Sequence, residues 1–133
     1  MAVLLLALLL ALASCAVNRS VVAVDLTAHT LVRPSSAERL TSPAEAVQGI
    51  AAIMVRDLGL TVPERVTVYL YSGREVFEQG LIRDAHIAPV RAAELSDFAV
   101  GVGKRRQLLL HDEPGMDRGR EWLRLIAHEL THV

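Results

Sequence analysis

The residues His128-Glu129-Leu130-Thr131-His132 have the form His-Glu-x-x-His. Positions four apart share one face of a helix, so His128 and His132 can turn two imidazoles toward one metal ion. Glu129 stands one position on from the first imidazole, where its carboxylate can reach a water held at the metal without binding the metal itself. Zn²⁺ lowers the pKa of such a water, and the carboxylate takes its proton and passes it to the leaving amine. The pattern therefore predicts zinc-dependent hydrolysis, with peptide-bond cleavage the expected reaction and a non-peptide substrate the alternative. It sets the nucleophile and leaves the substrate open among peptide, protein and cell-wall material.

The surrounding residues predict the helix this chemistry needs. From Glu121 to Val133 the side chains Trp122, Ile126, Leu130 and Val133 form an apolar stripe, as a packed active-site helix requires. The other imidazoles are His29, His86 and His111. A lone His in a loop or at a strand end is more often solvated or hydrogen-bonded than a ligand. His111-Asp112-Glu113 precedes the metal helix and reads as a solvated acidic turn. Lys104-Arg105-Arg106 reads as a solvated hairpin tip. No Gly-x-Ser-x-Gly elbow accompanies the scattered serines, which leaves no serine-hydrolase constellation.

Several elements must position the motif. Val21 to Leu26 is β-branched enough for a strand, at a sheet edge or within the sheet, and Arg33-Pro34-Ser35-Ser36 breaks it. Ser42-Pro43-Ala44-Glu45 combines an N-cap Ser, a Pro at the first helical position and a Glu at the third. Val47, Ile50, Ala51, Met54 and Leu58 follow at helical spacing, and Gly59 is placed to end that helix. Val66-Thr67-Val68-Tyr69-Leu70-Tyr71 alternates as a strand, with Val66, Val68 and Leu70 on one face. Ser72-Gly73-Arg74-Glu75 should open a short helix through Val76 and Phe77. Gly80 to Ser96 reads as a loop holding a short helix around Arg91 to Leu95. Phe98 to Gly103 and Gln107 to Leu110 read as two strands joined by a turn. Gly101 and Gly103 mark either a bulge or the close approach of another backbone. Asp112-Glu113-Pro114-Gly115 is a turn into the final helix.

The chain has 133 residues, a net charge of −1 and one cysteine, which suits one domain without a disulfide. Neither sign of charge dominates, so nucleic acid is not expected as a partner. Hydrophobic content of 52% and mean hydropathy of +0.35 are high, and no charged side chain occurs in the first 17 residues. Met1 to Ala13 is short for a permanent span and resembles the apolar region of a signal peptide. Leu12-Ala13-Ser14-Cys15 resembles a bacterial lipobox, which makes Cys15 the expected lipidation site and the route to a membrane anchor. Ordinary cleavage after Ala13 is the alternative. Either version has the protein exported to the bacterial cell envelope, as a membrane-anchored lipoprotein or as a periplasmic or extracellular protein.

From residue 60 onward the chain resembles the peptidase MA-like family of gluzincin metallopeptidases. The strand Val66–Tyr71, the helix with Val76 and Phe77, the stretch Phe98–Val102, the strand Leu108–Leu110 and Leu125–Val133 carry the resemblance. It implies Zn²⁺ as cofactor, His128 and His132 as ligands and Glu129 as general base. It also implies an edge strand near Ala99, Val100 and Gly101 that pairs with an extended peptide or protein substrate. Gluzincins take a third ligand, a Glu, from a later helix, and metzincins take another His a few residues on. Neither follows His132 here, so a continuing reading frame and an inactive fragment are expected. The upstream resemblance favours the gluzincin class.

The expected fold is α+β: the N-terminal half of a zincin-like domain. A small mixed or antiparallel sheet packs against the active-site helix at 118–133 and one further helix at 42–58. The expected organisation is a signal peptide over 1–15, a strand and linker over 16–41, and a partial metallopeptidase domain over 42–133. A rival expectation is a non-catalytic exported lipoprotein that binds a partner through the same sheet edge.

Overall fold

A computed structural model of the chain describes residues 19–36, 40–112, 115 and 117–133. Cys15, Glu113 and Pro114 lie outside the described residues. Four strands, β1 (Arg19–Asp25), β2 (Arg65–Tyr71), β3 (Gly101–Lys104) and β4 (Gln107–His111), form one mixed sheet in the order β1-β2-β4-β3. β1 and β2 are antiparallel, β2 and β4 parallel, and β3 and β4 antiparallel. Among the described residues four helices complete the α+β fold: α1 (Pro43–Arg56), α2 (Arg74–Arg83), α3 (Pro89–Phe98) and α4 (Arg120–Leu130).

The helices divide between the two faces. Val66, Val68, Leu70, Leu108 and Leu110 point to one face and pack with α1 and α4 through Val47, Ile50, Ala51, Trp122, Ile126 and Leu130. Tyr71 and Leu109 point to the other and pack with Phe77, Leu81 and Ala92 of α2 and α3. The second helical layer adds to the two-helix packing expected from sequence. Its signal was present: Leu108-Leu109-Leu110 does not alternate, as befits a strand covered on both faces. Leu26, Leu31 and Leu40 are buried in the same cluster as α1 and α4, so β1 and the segment after it share the domain core.

α1 begins as its sequence dictates. The Ser42 side chain accepts from the Glu45 N–H at 3.2 Å, and the Glu45 carboxylate accepts from the Ser42 N–H at 3.0 Å. Gly59, at φ 66°, turns the chain beyond α1 so that the Leu60 N–H reaches the Met54 carbonyl at 2.9 Å.

Four expected boundaries are corrected. α2 opens at Arg74 with Gly73 as its cap and runs to Arg83, rather than ending soon after Phe77. The close packing of Gly80 on the Tyr71 ring, where a Cβ would sit 2.2 Å from ring carbons, keeps that helix going against the sheet. The expected loop over Gly80–Ser96 is mostly helix, because Pro89 fits the first turn of α3 and the residues after it favour helix. Phe98 closes α3 and is not part of a strand. β3 starts only at Gly101, with Ala99 and Val100 as the connection. The final helix is also shorter than 118–133, beginning after Gly119 and ending at Leu130.

Candidate metal centre

α4 carries the motif because its stripe is buried. Trp122, Ile126 and Leu130 are packed away against α1 and the sheet, which turns the opposite side of the helix end toward solvent. After Leu130 the chain continues in a tighter turn: the Thr131 N–H reaches His128 O at 3.1 Å and the His132 N–H reaches Glu129 O at 3.0 Å. The Thr131 hydroxyl donates to the same His128 carbonyl at 2.6 Å. This turn keeps His132 above His128 although the regular helix has ended.

The two imidazole Nε2 atoms are 3.4 Å apart, with ring centroids at 5.0 Å and ring planes at 74°. Two nitrogens each about 2.05 Å from a tetrahedral zinc are separated by about 3.4 Å, so the pair fits such an ion. The His128 side chain is 69% exposed and that of Glu129 only 10%. Among the described residues, His128, Glu129 and His132 bring three donor atoms within 4.8 Å of one another.

Glu129 is fixed from the sheet. Its Oε2 accepts the Gly103 N–H at 2.7 Å, while Oε1 lies 4.0 Å from His128 Nε2. The glycines of β3 permit this approach. A Cβ on Gly103 would fall 2.1 Å from the Glu129 carbonyl oxygen and 3.1 Å from His132 Cβ. One on Gly101 would meet Leu110, Leu125 and Glu129 Cγ at 3.0 to 3.2 Å. Of the two sequence readings of these glycines, close backbone approach is the one realised. The sequence marked Gly103 only by its alternation with Val, which gave no sign that its N–H would hold Glu129.

Comparison with protein-family models, with curated proteins and with solved structures finds no match.

The remaining candidates separate from this centre. His111 stacks on Phe77 at 5.9 Å, on the sheet face opposite α4. Asp112 receives Arg118 at 2.7 Å, and Arg118 also lies over the Trp122 ring at 5.3 Å, so this pair fastens the entry to α4. His29 approaches the Thr27 hydroxyl at 3.1 Å, and His86 is exposed between α2 and α3. Lys104 does not sit at a solvated tip: it belongs to β3, and its Nζ donates to Ala85 O at 2.8 Å. Ala99, Val100 and Gly101 do line the open groove of about 420 Å³ that also holds His128, Glu129 and His132. Of the three, only Gly101 lies in the strand.

Proposed function

We propose that this chain belongs to a zinc-dependent peptide hydrolase of the gluzincin kind, with His128 and His132 as metal ligands and Glu129 as general base. One observation carries the proposal: two exposed imidazoles at tetrahedral ligand spacing beside a carboxylate held by a backbone N–H. A bound zinc ion supplies Lewis acidity toward a carbonyl and acidifies a water. The Glu129 carboxylate, fixed through Oε2, keeps Oε1 on the imidazole side as the proton acceptor. The Gly103 N–H orients that carboxylate, and the low exposure of Glu129 limits competing water. The open edge of β3 offers main-chain groups to an extended substrate.

The test is zinc content and turnover of the full-length protein and its variants. His128→Ala and His132→Ala should each lower zinc affinity at least tenfold, because each removes one of two imidazole ligands. Glu129→Gln should retain zinc and lose most peptide hydrolysis, since an amide cannot accept the proton. Zinc binding unaffected by either His substitution would refute the site. Its complete absence from the unaltered chain would favour the rival role, a partner-binding surface at the β3 edge.

A further inference from the structure

We propose that the groove beside the metal centre selects peptides with one bulky apolar side chain, received by Phe98, Val100 and Leu95. This rests on the peptide-hydrolase function proposed above and names the substrate class of the same groove.

The direction of the backbone groups comes first. His111 N–H donates to Val100 O at 2.9 Å, and Gly101 pairs with Leu110 in the antiparallel register. Hydrogen-bonded and non-hydrogen-bonded pairs alternate along such a ladder, so Gly101 and Gly103 turn their main-chain groups away from β4. The bond from Gly103 N–H to Glu129 confirms that direction. Among the described residues no strand lies beyond β3, so with that N–H occupied Gly101 N–H, Gly101 C=O and Gly103 C=O remain for an added strand. Such a strand would lie about 4.8 Å beyond β3.

The side chains of an added strand must alternate between the two faces of the sheet. Gly101 and Gly103 face α4, where a Cβ would meet Leu125, Glu129 and His132. Val102 faces the other way and packs with the α2 and α3 layer. A substrate residue directed toward α4 therefore stands by the two imidazoles, and its neighbour points toward the end of α3. There the groove is lined by Leu95, Phe98 and Val100. Phe98 is 71% exposed and Val100 48% exposed, an unusual placement for large apolar residues that line one groove. A polar or acidic substrate side chain would lose hydration against this lip, whereas Phe or Leu would cover it. The continuity of the lip with the free edge of β3 identifies the occupant as an extended peptide rather than a small molecule.

The experiment uses the full-length protein with zinc and Glu129→Gln, so that bound peptides stay intact. The probes are fluorescein-labelled hexapeptides of Ala, Ser and Gly in which one position in turn is Phe, Leu, Ala or Glu. Anisotropy should show about tenfold tighter binding for Phe or Leu over Ala at one position, with both neighbouring positions indifferent. Phe98→Ser combined with Val100→Ser, both exposed and so compatible with folding, should reduce that ratio below about twofold. Equal binding of all four residue types, no binding of any peptide, or a preference that survives the double substitution would each overturn the proposal. Apolar preference with no zinc dependence, and no hydrolysis by the unaltered full-length protein, would uphold the groove and sink the hydrolase function. Hydrolysis without preference would do the reverse.

Discussion

Glu129 depends on a residue with no side chain. The Gly103 N–H holds its carboxylate at 2.7 Å, and the missing Cβ leaves room for its own carbonyl, which would otherwise stand 2.1 Å away. A main-chain carbonyl at a helix end cannot move aside without moving α4. Gly103→Ala should therefore destabilise the fold by roughly 2 kcal/mol or more and weaken zinc binding with it. Gly101→Ala meets only the ends of Leu110 and Leu125 and the Glu129 methylene, at 3.0 to 3.2 Å, and side chains there can adjust. Its cost should stay below about 1.5 kcal/mol. Urea midpoints of the two variants measure the contrast, and equal losses would show that α4 yields more freely than its packing implies.

The β3–β4 hairpin that carries Gly101 and Gly103 turns in two residues, Arg105 and Arg106, at φ 48° and 66°. Two-residue hairpins of this hand need positive φ at both positions, which suits Asn and Gly and costs an ordinary side chain about 1 kcal/mol or more. No Gly or Asn marks this turn, so its tightness was not legible from residue type. The Arg106 carbonyl is held by the Thr67 N–H at 2.9 Å, and the β2–β4 pairing beside it sustains the strained turn. Replacing Arg105-Arg106 by Asn-Gly should leave that bond in place and raise stability by about 1 kcal/mol. A rise in the thermal midpoint is the expected result, and a fall would mean that the arginine side chains contribute contacts exceeding the strain. α1 is the opposite case, since Ser42, Pro43 and Glu45 announce its start and the capping bonds form as those residues require.

At the scale of the whole molecule, one carboxylate joins β1, β2 and α2. Asp84 accepts from Arg19 at 2.6 Å, from the Tyr71 hydroxyl at 2.7 Å and from Arg83 at 3.2 Å, and its side chain is 10% exposed. Burial acts to raise its pKa, but the hydrogen bonds from Arg83, Arg19 and Tyr71 outweigh it and bring the group down to about 2. The same burial, together with Asp84, pushes the Tyr71 hydroxyl above its ordinary value. A folded-state pKa below the unfolded value means the contribution is present above about pH 4 and is lost as pH falls toward 2. Asp84→Asn should be less stable at pH 7 by about 1–3 kcal/mol and should lose less between pH 4 and 2 than the unaltered chain. Urea midpoints at pH 7, 4, 3 and 2 give the comparison, and parallel curves would contradict the role of Asp84. The sequence by itself determined the pieces whose information is local: the capped start of α1, the alternation of β2, and the His-Glu-x-x-His spacing on an amphipathic α4. Capping, strand alternation and helical phase act between residues a few positions apart, so residue type and spacing suffice for them. Only the tertiary structure decided that α2 and α3 cover the second face of the sheet, that Phe98 ends a helix, and that His111 lies opposite the metal motif. It alone also joined Gly103 to Glu129, 26 residues away in the chain. Contacts of that kind arise from the pairing of β3 with β4 and the packing of α4 over both, and no short-range pattern encodes which backbone will pass beside which.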